Sequence, residues 1–260
     1  MRDQGLDQAI RAAGGVGALA RKLGISQPSV SNWSRVPAER VISVEGVTGI
    51  DRAVLRPDLY DAGSGGEVDE VDEIDTARAQ EYALLSVLLR RAADAHLLTR
   101  LAALRGDPSP LGMAHAALAE AAAATNAEQV EREFFDLFIG IGRGELLPYA
   151  SYYLTGFLNE RPLARLRDDL AQFGIERVEG EVEPEDHAAM LCEIMAGLVG
   201  GRFEAPVGAD GTLFEKHLVP WIGRFFADLE QVEAADFYRR VGTIGRVFME
   251  IEREAFALAP

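Results

Sequence analysis

EPEDHAAMLCEIMAGLVG, residues 183–200, decides the fold when read with LLPYASYY, residues 146–153. Pro184 stands where the first turn of a helix tolerates a missing N–H, and Glu183, Glu185 and Asp186 stand at the positive end of the helix dipole. The spacing therefore predicts a helix over 183–200. On it, His187, Leu191, Met195 and Leu198 share one face. Asp186, Ala189, Glu193, Gly197 and Gly200 share a neighbouring face of small residues, with its two carboxylates about 10 Å apart along the axis. The plain reading is a capped core helix; the alternative is the wall of a groove.

Working outward, the chain from Thr76 onward reads as helical nearly throughout. Tyr82, Leu85, Leu88 and Leu89 recur at helical spacing, as do Leu97, Leu101 and Leu104 before the break at GDPSP. A further helix is written in LGMAHAALAEAAAAT. The next lies in NAEQVEREFFDLFIGIG, with Asn126 as its cap and Phe134, Phe135 and Phe138 expected to pack inward. After LLPYASYY come two helical stretches interrupted at Pro162, and beyond residue 200 two amphipathic ones, FEKHLVPWIGRFFADLEQVE and ADFYRRVGTIGRVFMEIEREAF. No sustained period-two strand pattern occurs, so an all-α domain over 76–260 is expected.

Residues 61–75, DAGSGGEVDEVDEID, hold glycine and acid with isolated apolar residues, the composition of a flexible linker. Before it, residues 1–60 read as short helices between tight turns. Leu6, Ala9 and Ile10 mark the first; Val16, Leu19, Ala20 and Leu23 mark the second, which ends at Gly24. Ser26 can then cap a third helix with Val30 and Trp33 inward. A small residue at 20, a glycine at 24 and an apolar plug at 30 and 33 form helix-turn-helix spacing.

Charge divides the same way. The chain has 26 basic and 42 acidic residues, net −16. Residues 1–60 are net +2 and the remainder net −18. The acidic remainder disfavours polyanion binding by the whole protein and favours basic partners. Cys192 is the only cysteine, which excludes an intrachain disulfide and fits a reducing compartment. No apolar run approaches the roughly 20 residues that cross a bilayer, and the N-terminus lacks a signal-peptide core, so a cytoplasmic protein with no membrane partner is expected. The histidines, at 96, 115, 187 and 217, show no metal-ligand spacing, and no phosphate loop of useful specificity is present; neither metal nor cofactor is expected. His187 and Cys192 lie about 140° apart around a helix, which keeps them from acting as a direct catalytic pair. His187 reads as a core histidine or, as the alternative, a ligand contact.

Residues 1–60 resemble the Cro-like, YdaS-type helix-turn-helix of phage and bacterial repressors, the closing TGIDRAVLRPDLY included. The resemblance implies binding of double-stranded DNA. Gln27, Ser29, Asn32 and Arg35 would face base edges, with Lys22 or Ser26 on phosphate, and a homodimer would double the phosphate contacts. The alternative is a fold kept for protein contact.

The order EYALLSVLL, DLFIG, LLPYASYY, EPEDHAAMLCEIM, HLVPWIGRFF resembles the TorD/DmsD family of cytoplasmic maturation chaperones for molybdenum enzymes, over about 180 residues. The resemblance implies a non-enzymatic, all-helical chaperone. Its partner would be the signal peptide or N-terminal region of a molybdopterin oxidoreductase precursor, such as a formate dehydrogenase. Its peptide-binding region would comprise Tyr149, Ser151, Tyr153, Glu183, Asp186 and His187, with Glu193, His217 and Trp221 nearby. Leu191, Cys192 and Ala150 depart from the family pattern and bear on partner specificity more than on fold. Physically, a twin-arginine signal peptide asks for carboxylates beside an apolar groove. Asp186 and Glu193 are expected to supply the first, and the aromatic residues from Tyr149 to Tyr153 the second. The rival reading is a one-component transcription regulator whose helical domain senses a peptide or small ligand.

Overall fold

The computed structural model describes residues 3–57, 68–178, 180 and 182–258. Among them every regular element is helical, and the one strand-like contact is an isolated antiparallel bridge between Tyr149 and His187. The chain divides into two compact units, Met1–Glu73 and Ile74–Pro260.

The first unit contains α1 (Gln4–Ala13), α2 (Val16–Lys22), α3 (Gln27–Ser31), α4 (Val41–Thr48) and α5 (Arg52–Leu55). Asp3, Ser26 and Asp51 each accept a backbone N–H from the turn that follows, which starts α1, α3 and α5. Gly24 closes the turn between α2 and α3 with φ 67°, a conformation glycine adopts without a Cβ clash. Leu6, Ala9, Leu19, Ala20, Val30 and Leu55 are buried in one core. Trp33 packs against its edge from beyond the end of α3, not from within the helix. Buried Arg56 donates a 2.6 Å hydrogen bond to the Val36 carbonyl and ties the end of α5 to the segment after α3.

The second unit is built from α6 (Val68–Arg90), which crosses the boundary, α7 (Ala95–Leu101), α8 (Pro110–Ala124), α9 (Ala127–Phe134), α10 (Ala150–Thr155), α11 (Arg161–Gln172), α12 (Ala188–Val199), α13 (Ala209–Leu213), α14 (Ile222–Gln231) and α15 (Asp236–Leu258). Helix α15 packs along α8 and α14, and Leu85, Leu118, Leu191, Met195, Phe226 and Ile244 lie in one continuous core. Glu252 on α15 is buried, accepting two hydrogen bonds from Arg78 at 2.7 and 2.9 Å and one from Tyr82 at 2.9 Å. A buried carboxylate is tolerable only when so partnered, and the trio fastens α6 to α15.

Four sequence expectations are corrected. The expected linker 61–75 lies outside the described residues up to 67, and from Val68 onward it forms the start of α6. Acids at a helix N-terminus favour that outcome, and Asp75 pairs with Arg78 one turn later. Phe135 is 41% exposed, while Leu137 is buried. Phe134 and Phe138, four residues apart, both pack against the core, and Phe135, about 100° from Phe134 around the helix, faces outward where a π turn, Phe135–Ile139, begins. Pro162 does not interrupt a helix; it occupies the first turn of α11, and the break is the loop before it. Helix α12 begins at Ala188, so Glu183 to Asp186 are loop and His187 is the cap.

Candidate functional site

The two diagnostic stretches form one device. Pro148–Ala150 and Asp186–Ala188 run antiparallel, joined by hydrogen bonds from the Ala150 N–H to the Asp186 carbonyl (3.0 Å) and from the Ala188 N–H to the Pro148 carbonyl (2.8 Å). Each of the two adjacent side chains then caps a different helix. The Asp186 carboxylate, 1% exposed, accepts the Ser151 N–H at 2.8 Å in the first turn of α10, where Tyr149 offers no cap of its own. His187, 7% exposed, accepts the Ala189 N–H through Nδ1 at 3.0 Å and starts α12. Tyr149 stacks edge-on against His187 with centroids 4.9 Å apart and donates to Glu183 at 2.6 Å. Burial holds the His187 imidazole neutral, pushing its pKa down to about 4 against the pull of the Asp186 carboxylate. Cys192 is buried and its thiol is pushed up to about 12 by desolvation, so it is an inert core group.

Tyr149, Ser151, Glu183, Asp186 and His187 are thus brought together as expected, but as a largely buried scaffold, and His187 is off the apolar stripe. Ser151 is fully buried. Tyr153, His217 and Trp221 form a second cluster. Tyr153 donates to Asp228 at 2.9 Å and packs on Trp221, whose Nε1 donates to the His217 carbonyl at 2.7 Å. His217 in turn places Nε2 2.7 Å from Asp169. Burial opposes ionisation of Asp169, yet hydrogen bonds from His217 and Lys216 outweigh it and keep the carboxyl below its ordinary range. Glu193 joins neither cluster; it pairs with Arg90 at 2.7 Å.

The expected acidic, small-residue face is therefore not a groove. Asp186 precedes the helix, and the space over Gly197 is filled by the chain's own Phe203, whose ring leaves no room for a Cβ there. The two carboxylates never share a face.

A cavity of about 560 Å³ opens instead between α10, α11 and the π turn Phe214–Leu218 that continues α13. Ala150, Leu154, Pro162 and Pro220 supply its apolar walls, and Asp168, Asp169 and Glu215 its carboxylates, with Arg165, Lys216 and His217 on the same lining. Asp168 and Glu215 make no ion pair among the described residues. Nearby in sequence, Leu154, Phe157 and Leu158 are exposed. The acid pair 168–169 and the apolar run after YASYY were the available sequence signals for this cavity, and both were missed.

In the first unit, Lys22, Ser26, Gln27, Ser29, Asn32 and Arg35 are all exposed, on and around α3. Ser26 and Ser29 share a 2.7 Å hydroxyl contact, and the Lys22 ammonium lies 3.5 Å from the Val47 carbonyl. Gln27 crosses Gly17, where a Cβ would come within 3.2 Å of its Oε1, so Gly17 helps set the direction of that side chain.

Among the described residues no group of three or more His, Cys, Asp or Glu could hold a metal ion, and no helix is long and apolar enough to cross a membrane.

Comparison with known families follows the same division. Residues 104–227 match the family model for the nitrate reductase delta subunit, and residues 6–63 match that for the bacterial toxin YdaS. Curated relatives include the chaperone protein TorD of Vibrio cholerae, 26% identical over 134 residues, or 48% of this chain and 61% of the relative. The TorD of Aliivibrio fischeri is 28% identical over 134 residues, 48% of this chain and 62% of the relative. The TorD of Vibrio atlanticus is 23% identical over 139 residues, 50% of this chain and 65% of the relative. The chain thus spans under two thirds of each of these relatives. It is therefore similar, in its first unit, to the YdaS family and, over residues 104–227 of its all-helical second unit, to the nitrate reductase delta subunit family and to TorD chaperones.

Proposed function

We propose that the chain is a cytoplasmic chaperone, not an enzyme, that binds the signal peptide or N-terminal region of a molybdopterin oxidoreductase precursor while its cofactor is inserted. The observation that carries this reading is the cavity beside α10. It lies within the family-matched region, it is walled by Leu154, Pro162 and Pro220, and it holds two carboxylates, Asp168 and Glu215, without ion-pair partners among the described residues. Arginines of a signal peptide would pair with those carboxylates, and its apolar run would lie on the exposed Leu154, Phe157 and Leu158. The buried Tyr149–His187 junction positions α10 and does not itself touch the peptide.

Residues 1–60 add a DNA-binding head in this proposal, acting on duplex DNA as a homodimer, with Gln27, Asn32 and Arg35 toward the bases. Its exposed α3 and its match to YdaS support that role.

Titration calorimetry of the full chain against twin-arginine signal peptides tests the proposal. Asp168→Asn with Glu215→Gln is expected to weaken binding about tenfold. Unchanged affinity would remove the electrostatic half of the account.

A further inference from the structure

We infer that Tyr153 and Asp228 form an arginine-selective seat beside the cavity, and that the chain's own Arg224 holds this seat until a guanidinium of the bound peptide replaces it. The inference rests on the peptide-binding reading above and names the residues that would discriminate among such peptides.

The seat adjoins the cavity along two elements. On α10, Ala150 and Leu154 line the cavity, and Tyr153 precedes Leu154 by one residue, about 100° around the helix. Pro220 also lines the cavity, and the next residue, Trp221, packs on Tyr153 with ring centroids 5.4 Å apart. Phe225 meets the Tyr153 ring in a T-shaped contact at 6.0 Å, and the Tyr153 hydroxyl donates to Asp228 at 2.9 Å. Burial and that hydrogen bond push the hydroxyl well above its ordinary pKa, so it stays a donor. Two aromatic neighbours and a carboxylate therefore fix the ring.

A fixed aromatic face beside a carboxylate suits a guanidinium, which stacks on the ring as a plane and turns its N–H groups toward the acid. Arg224 already occupies the ring face, with Cζ 5.4 Å from the Tyr153 centroid. Arg224 and Asp228 stand four residues apart on α14, yet neither makes an ion pair among the described residues. Basic before acidic is the less favourable order for such a helical pair. The exposed ring contact is thus what holds the Arg224 side chain, and a contact of this kind is worth only about two- to fivefold in an equilibrium constant. Arg78 differs: it lies 5.0 Å from the Phe256 centroid but is also bound by Glu252 and Asp75.

Arg224 is therefore an internal competitor, weak enough to yield to an arginine whose peptide is already anchored in the cavity. A lysine competes less well, because its ammonium is compact, strongly hydrated and cannot stack as a plane. The same stack recurs where Arg143 lies 5.5 Å from the Tyr152 centroid, but Tyr152 is about 200° from Leu154 around α10, on the far side from the cavity. That pair supplies a matched control.

Fluorescence anisotropy of the full chain with two dye-labelled peptides tests the inference. Both carry one apolar run, preceded by Arg-Arg in one and by Lys-Lys in the other. Wild type is expected to bind the arginine peptide more tightly. Arg224→Lys keeps the charge and vacates the ring, and is expected to tighten the arginine peptide about two- to fivefold while leaving the lysine peptide unchanged. Arg143→Lys is expected to change neither, and Asp228→Asn to weaken the arginine peptide. All three positions are exposed, and an unchanged urea midpoint checks that each variant folds. Unchanged or weaker binding of the arginine peptide by Arg224→Lys, equal tightening of both peptides, or the same gain from Arg143→Lys would overturn the inference. If wild type still binds the arginine peptide in that event, the chaperone reading stands; if wild type binds neither peptide, that reading falls and the inference with it.

Discussion

Acidification should destabilise the second unit through His187, and the size of the effect follows from its burial. A histidine in the unfolded chain titrates near its ordinary value of 6.5, whereas the buried His187 titrates at about 4. The folded state therefore requires the neutral ring, whose Nδ1 must stay unprotonated to accept the Ala189 N–H. Since the folded pKa is depressed, the unfolded chain binds the proton first. The contribution of this group is complete above about pH 6.5 and is lost as pH falls toward 4. At about 1.4 kcal/mol per pH unit across that window, the loss is about 3 kcal/mol, a large fraction of a domain's stability. His187→Asn keeps a side-chain acceptor suited to a helix N-cap and removes the titration. Trp33 lies in the first unit and Trp221 in the core of the second, so in a Trp33→Phe background the fluorescence reports on the second unit alone. Urea unfolding followed in that way from pH 7 to pH 4.5 should show wild type losing stability faster than the asparagine variant. Parallel loss in the two proteins would refute the reasoning.

The remaining predictions concern packing and recognition. Glu252→Gln removes the charge that Arg78 and Tyr82 share and should cost about 1–3 kcal/mol in urea unfolding, since Arg78 keeps its pair with Asp75. Gly197→Ala forces Phe203 off α12 and should cost about 1–3 kcal/mol, with most of the loss recovered by Phe203→Ala in the same chain. If the first unit binds DNA as proposed, Gln27→Ala or Asn32→Ala should lower preference for a selected operator by about 1–3 kcal/mol. Lys22→Ala should instead weaken all duplexes alike, as read by band shifts on specific and random DNA.

The all-helical class was legible because it rests on local signals. Helical spacing at Tyr82, Leu85 and Leu89, a cap at Asn126, and the turn at Gly24 each act within one or two turns of chain. The misplaced features depend on contacts distant in sequence. Nothing local says that Asp186 will cap a helix 36 residues earlier, so its acids read as the first turn of their own helix. Phe134, Phe135 and Phe138 read alike in sequence, and only the packing of Phe134 and Phe138 on the distant Tyr238 leaves Phe135 outside. The small face of α12 was visible, but its filling by Phe203 requires knowing where the following loop returns. As a result the sequence brought Tyr149, Ser151, Asp186 and His187 to one place without showing that Asp186 and His187 cap two helices there. Most of them hold α10 and α12 in place, and the accessible chemistry lies on α11 and the π turn at 214–218.

Affinity purification of the full chain from its source organism, with the captured proteins identified by mass spectrometry, tests the central claim most directly. The account predicts recovery of an immature molybdopterin oxidoreductase subunit with the wild type, and its loss with Leu154→Asp, which alters an exposed wall of the cavity without touching the core. Absence of any such subunit, or equal recovery with the variant, would contradict it.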